Sequence, residues 1–138
     1  MIITKAMLRL AYKAQVERNR YKAFNPKDAL RIKRWINEKG WQQDMSLQQA
    51  ADDAGVSKRQ MSRYFRLFYR KSFTQWRSEV RINEAKILLL RDKTIPAALV
   101  GEAVGINDKS NFRCLFKRAT GMTPAQWRLK HKVHIGRH

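Results

Sequence analysis

Phe65-Arg-Leu-Phe-Tyr-Arg-Lys-Ser-Phe-Thr-Gln-Trp-Arg77 returns, fifty-one positions later, as Phe116-Lys-Arg-Ala-Thr-Gly-Met-Thr-Pro-Ala-Gln-Trp-Arg128. Each copy opens on a Phe, carries a Ser or Thr in its middle and closes on Gln-Trp-Arg. A hydroxyl residue followed three positions later by Gln has the form of a helix N-cap with its capping box. The frame therefore predicts one helix ending near the Phe and another starting at the hydroxyl. The likeness extends backwards, because Gly55-Val56 corresponds to Gly105-Ile106 at an offset of fifty, which leaves one extra residue between Gly105 and Phe112. Each half then reads short helix, glycine and apolar turn, second helix ending in Phe, capped helix bearing Trp-Arg. This is a helix-turn-helix written twice.

Helix punctuation continues on both sides of the repeat, and no segment sustains a two-residue alternation, so the chain is expected to be all-α. Asn25-Pro26 caps and opens a helix that Gly40 is expected to stop after Trp35 and Ile36. Ser46 with Gln49 opens a short helix, Leu47 to Ala54, ended by Gly55, and Ser57 with Gln60 opens the next, to about Tyr69. Ser72 caps a long helix of about Phe73 to Arg91, whose buried face is expected to carry Trp76, Val80, Ile87, Leu88 and Leu90. Pro96 begins a short helix ended by Gly105, Asp108 caps one through Ala119, and Thr123-Pro124 starts the last after Gly121. The first twenty-two residues, with Met7, Leu8, Ala11 and Ala14 among Lys and Arg, read as one further amphipathic helix.

The expected organisation is a basic extension over 1–24, a domain over 25–128 and a basic tail over 129–138. Within the domain, a first helix-turn-helix occupies about 46–71, a linker helix about 72–91 and a second helix-turn-helix about 95–120. Met61 with Phe65, and Phe112 with Phe116, lie four residues apart and are expected to form the core side of the second helix in each unit.

Charge narrows the function. Thirty Lys and Arg stand against 11 Asp and Glu in 138 residues, a formal charge of +19, and such a field attracts polyanions. The basic residues are spread along the chain and do not form a tail, which argues against a purely electrostatic arm. The longest apolar run, Ile87 to Leu90, is too short to span a bilayer and the N-terminus has no signal-peptide core, so a soluble, cytoplasmic protein with no membrane role is expected. Cys114 is the sole cysteine, and His131, His134 and His138 lie in a tail with no frame to fix ligand geometry, so no metal and no cofactor are expected. Scattered carboxylates, no glycine-rich phosphate loop and no positioned Ser/His pair point away from an enzyme.

In a helix-turn-helix the outward face of the second helix enters the DNA major groove. From Ser57 that face carries Lys58, Arg59, Ser62, Arg63, Arg66 and Arg70, and no acidic residue occurs from Ser57 through Ser78. Arg59, Ser62 and Arg63 share one stripe at i, i+3, i+4 and are assigned to base contact, because arginine can donate a bidentate pair to guanine O6 and N7. Lys58, Arg66 and Arg70 are assigned to phosphates. The second unit offers Lys109, Ser110, Asn111 and Arg113 for bases and Lys117 for phosphate. Arg77 and Arg128, which follow the tryptophans, are assigned to phosphate, with packing of their own helix as the alternative. A nineteen-residue linker helix is ~28 Å long, against the ~34 Å between successive major grooves on one DNA face. One chain could thus read two grooves as a monomer, with the DNA bending to fit.

Arg81-Ile-Asn-Glu-Ala-Lys-Ile-Leu-Leu89, Val104-Gly-Ile-Asn-Asp-Lys-Ser-Asn-Phe112, Phe116-Lys117 and Gly121-Met-Thr-Pro-Ala-Gln-Trp-Arg128, in that order, resemble the DNA-binding domain of AraC/XylS-type bacterial transcription regulators, over about Leu30 to Arg128. The resemblance implies about seven helices, two helix-turn-helix units, a central linker helix, double-stranded DNA as partner and RNA polymerase as the partner of an activator. It also implies that Arg59, Ser62, Arg63, Lys109, Ser110, Arg113 and Cys114 hold base-reading positions. Cys114 departs from the pattern, since an arginine is frequent there, so weaker reading by the second unit is expected. With 138 residues there is no room for the ligand-binding or dimerisation domain that such regulators often add; the chain is either a small stand-alone regulator or the C-terminal part of a longer one. The competing reading from charge and helices alone is a basic RNA-binding or ribosome-associated protein.

Overall fold

Asn25 accepts a hydrogen bond from the Lys27 amide, Pro26 fills the first helical position, and helix α2 (Pro26–Asn37) begins where the sequence signals it. This is seen in a computed structural model, which describes residues 4–22 and 24–132. Helix α1 (Lys5–Lys22) precedes α2. The first helix-turn-helix pairs α3 (Leu47–Ala54) with α4 (Lys58–Tyr64), and α4 runs on through a π-helical turn, Phe65–Tyr69. The linker helix is α5 (Phe73–Arg91). In the second unit a 3-10 turn, Ala97–Leu99, leads into α6 (Val100–Ala103), which pairs with α7 (Lys109–Thr120), and α8 (Pro124–Lys130) follows. Among the described residues there is no strand.

The caps sit where expected: Ser46, Ser57, Ser72, Asp108 and Thr123 each accept from the backbone N–H three residues on, and Ser46 and Thr123 complete full capping boxes with Gln49 and Gln126. One stop signal differs. Helix α2 ends at Asn37 and the left-handed residue after it is Lys39 (φ 59°), not Gly40. Gly40 is there for room, since a Cβ on it would lie 2.2 Å from the Trp35 ring. The extra residue of the second repeat falls in its turn. Ser57 caps α4 two residues after Gly55, whereas Asp108 caps α7 three residues after Gly105.

Met61, Phe65, Phe112 and Phe116 are all buried, as expected. In each unit the frame's Phe meets the frame's Trp: Phe65 and Trp76 have ring centroids 4.6 Å apart, Phe116 and Trp127 5.9 Å apart in an edge-to-face arrangement. The units solve one packing problem with different volumes. Gly101 backs directly onto Phe112, where a Cβ would come within 2.5 Å of the ring, while Ala51 and Met61, both fully buried, hold the corresponding places in the first unit.

The linker helix corrects the expected stripe. Trp76 is buried and Val80 and Leu88 pack against the core, but Ile87 (44%) and Leu90 (36%) are exposed, and the helix also buries Phe73, Arg81, Ile82, Ala85 and Leu89. A helix packed against the first unit at one end and α6, α7 and α8 further along turns more than one face inward, so no single 3.6-residue stripe describes it. At the N-terminus the opposite holds: Met7, Leu8, Leu10 and Tyr12 of α1 are all at least half exposed, while Phe24, just beyond that helix, is in the core.

Candidate nucleic-acid interface

Burying Met61 and Phe65 on one side of α4 turns the opposite side to solvent. Arg59 and Arg66 are exposed there with Arg63 half-buried between them, whereas Lys58, exposed in the first turn, stands at the edge of the buried side, Ser62 is half-buried and Arg70 is exposed just after the helix. Arg70 closes the π-helical turn in a left-handed conformation (φ 57°), the place Gly121 holds in the second unit. On α7 the burial of Phe112 and Phe116 likewise leaves Lys109, Ser110, Asn111, Arg113, Cys114 and Lys117 exposed. On α7 Lys109, Ser110 and Arg113 line one cleft, while Asn111 lines another with Arg81 and Gly105, so the predicted base-reading residues of the second unit do not all share one face.

Arg63 differs from its neighbours in being held. Its Nη1 donates to Gln60 Oε1 at 2.9 Å, its guanidinium lies 5.7 Å over the Phe24 ring, and Gln60 Nε2 donates to Asp28 Oδ2 at 3.0 Å. Helix α2 supplies two further ties to this unit: Arg31 Nη1 donates to the Gly55 carbonyl at 3.3 Å and Trp35 Nε1 to Asp53 Oδ2 at 3.1 Å. Among the described residues, no side-chain hydrogen bond or ion pair joins Lys109 or Arg113 to another group.

Arg77 and Arg128 are engaged inside the fold. Arg77 donates to the Met45 carbonyl and lies 4.9 Å over the Phe73 ring; Arg128 Nε and Nη2 donate to the carbonyls of Leu89 at 2.8 Å and Asp92 at 3.1 Å. These are the packing contacts expected as the alternative to phosphate binding. Each arginine ties its capped helix to the segment that enters its own unit, which satisfies carbonyls left over at helix and loop ends.

The largest feature missed in the sequence is Arg81. It is 6% exposed, with Nε donating to the Trp41 carbonyl at 2.6 Å and Nη2 to that of Gln43 at 2.7 Å. Burial, together with the nearby Arg77 charge and against the pull of Asp44, brings its pKa down to about 10, so it remains a cation near neutral pH and a full donor. The segment it grips also touches the second unit. A Cβ on Gly105, at φ +94°, would lie 2.1 Å from the Gln42 carbonyl oxygen and 3.1 Å from Arg81 Nη2. No local pattern reports a contact across forty residues; the signal available was a cation set between two apolar residues, Val80 and Ile82. At the other end of the chain, His131 stacks on Trp127 with centroids 4.2 Å apart, and His134 and His138 lie outside the described residues.

A family model described as a helix-turn-helix domain, of the AraC type, matches residues 43–130, well over half of the chain. The chain belongs to the AraC-type helix-turn-helix family. Among curated relatives of this AraC-type chain, the arabinose operon regulatory protein of Escherichia coli (strain K12) is 37% identical over 73 residues, covering 53% of this chain and 25% of that protein. The chain thus spans about a quarter of that relative's length. Among solved structures, the C-terminal domain of AraT, a response regulator from Geobacillus stearothermophilus, superposes with a TM-score of 0.69 at 25% identity, covering 84% of this chain and 94% of that one. The DNA-binding domain of AdpA, a global transcriptional factor solved in complex with a target DNA, superposes with a TM-score of 0.64 at 24% identity over 72% of this chain and 88% of that one. At that identity the AdpA likeness speaks for the AraC-type fold alone.

Proposed function

We propose that this AraC-type chain binds double-stranded DNA and regulates transcription by setting α4 and α7 into successive major grooves. The observation that carries the reading is that each recognition helix is anchored by fully buried side chains, Met61 and Phe65 or Phe112 and Phe116, while its cations, Arg59 and Arg66 or Lys109 and Arg113, remain exposed. Arg59, Ser62 and Arg63 read bases in the first groove; Lys109, Ser110, Asn111 and Arg113 do so in the second. Lys58, Arg66, Arg70 and Lys117 hold phosphates. A site bound in this way represses by occluding a promoter, or activates where the bound chain meets RNA polymerase.

Among the described residues no group of His, Cys, Asp and Glu could hold a metal ion, and no helix is long and apolar enough to cross a membrane. Neither an RNA nor a ribosomal surface calls for two exposed recognition faces on buried aromatic cores. Selection of bound fragments from a random DNA pool tests the proposal. The expected product is a two-part site with centres about one helical turn apart. Unlabelled RNA competing as well as the selected DNA at moderate salt would sink it.

A further inference from the structure

We propose that Asp28 and Gln60 are positioning residues that aim Arg63 at its base, so that α2, an element outside the helix-turn-helix, sets the base preference of the first unit. This rests on the DNA-binding reading above. A carboxylate can only accept and a guanidinium can only donate, so the amide between them has one consistent orientation, Nε2 to Asp28 and Oε1 to Arg63. Arg63 is fixed from two sides, by Gln60 at Nη1 and by the Phe24 ring, with further N–H groups of the fork left to meet a guanine edge.

The anchor of this relay is itself fixed. The Asp28 side chain is 17% exposed and lies 3.8 Å from Arg31 Nη1, the same nitrogen that donates to the turn carbonyl of Gly55. A long, rotamer-rich arginine that is ordered before binding loses less entropy when it meets a base, which favours the matched sequence. The second unit supplies an internal control. Counting from the caps Ser57 and Asp108, Asn111 stands where Gln60 does and Cys114 where Arg63 does.

The test is selection from a random DNA pool by the full chain and its variants, with thermal midpoints and affinity for random DNA measured beside it. Arg63→Ala is expected to flatten one base position. Asp28→Ala and Gln60→Ala should weaken the preference at that same position by about three- to tenfold and leave the rest of the site sharp. Gln60→Glu sets two carboxylates against each other and should do the same. Adding Asp28→Asn to Gln60→Glu restores a donor-to-acceptor order at unchanged net charge and should restore the preference. A merely structural tie between α2 and α4 would lower stability and affinity for all sequences alike, with no change confined to one position. An unaltered profile for Asp28→Ala, or no recovery in the double variant, overturns the inference. If Arg63→Ala flattens nothing while the wild type still enriches a two-part site, the relay falls and DNA binding stands; no enrichment by the wild type overturns both.

Discussion

The first recognition helix is braced by a neighbouring helix; the second stands unbraced, although α7 carries as many cations, Lys109, Arg113, Lys117 and Arg118, as the stretch from Lys58 to Tyr69. Helix α2 reaches the first unit through Asp28, Arg31 and Trp35, and its approach orders Arg63. The second unit has no such outrigger, carries Cys114 at the matching place, and rests on the linker helix and on the segment around Gln42. One duplicated frame has therefore produced one recognition helix with an arginine held in place, Arg63, and one with a cysteine at the matching position.

Seven substitutions bear on that contrast. The largest effect is expected from Gly105→Ala, which places a methyl against the Gln42 carbonyl in a backbone conformation with φ +94°. Chemical denaturation should show a loss of about 3 kcal/mol or more, whereas Gly121→Ala, at φ +80° with nothing within 4 Å, should cost only about 1. Equal losses would mean that the seat of the second unit on the 40–45 segment carries no weight.

Gly101→Ala is next, at about 1–3 kcal/mol, because the new Cβ meets Phe112. Adding Phe112→Met rebuilds the Ala and Met pairing of the first unit and should recover most of the loss in a double-mutant cycle. A strictly additive cycle would break the idea that the two cores are volume-matched versions of one design.

On the DNA side, Arg63→Ala should lower affinity for the selected site by about 1–3 kcal/mol and affinity for random DNA far less, while Arg70→Ala should weaken both alike. Titrations over a salt series separate the two, and equal losses for Arg63→Ala on both DNAs contradict its assignment to a base. The smallest effect is expected from Cys114→Arg. It restores a cation to the second head without the Gln60 relay, and binding should tighten by severalfold with little gain in discrimination. A sharp new preference from that single change would show that an unbraced arginine reads bases as well as a braced one.

Much of the fold was legible because capping and turn chemistry is local. Ser57, Ser72, Asp108 and Thr123 announce their helices within four residues, and the Gly-to-Phe spacing exposed the duplication. Burial of Met61, Phe65, Phe112 and Phe116 followed from period alone. Ile87 and Leu90 misled because α5 serves two units, and a hydrophobic stripe read along one helix cannot say how many partners that helix has. The site was legible as a set of exposed cations on α4 and α7. Its second layer was not: the Asp28–Gln60 bond spans thirty-two residues and the Arg81–Trp41 bond forty, and neither leaves a periodic trace. Arg77 and Arg128 were visible as a repeated feature, yet only geometry shows that their donors turn inward to carbonyls.

The grip of Arg81 on the carbonyls of Trp41 and Gln43, with Gly105 seated against Gln42, has a bearing on modularity. One wall of the second unit's seat, the Gln42 carbonyl against Gly105, comes from residues that precede the first unit. The two heads cannot be exchanged as cassettes cut at the ends of the linker helix: a chimera that imports a foreign second unit must import a matching 40–45 segment with it, or it will join two intact halves through a joint that no longer fits.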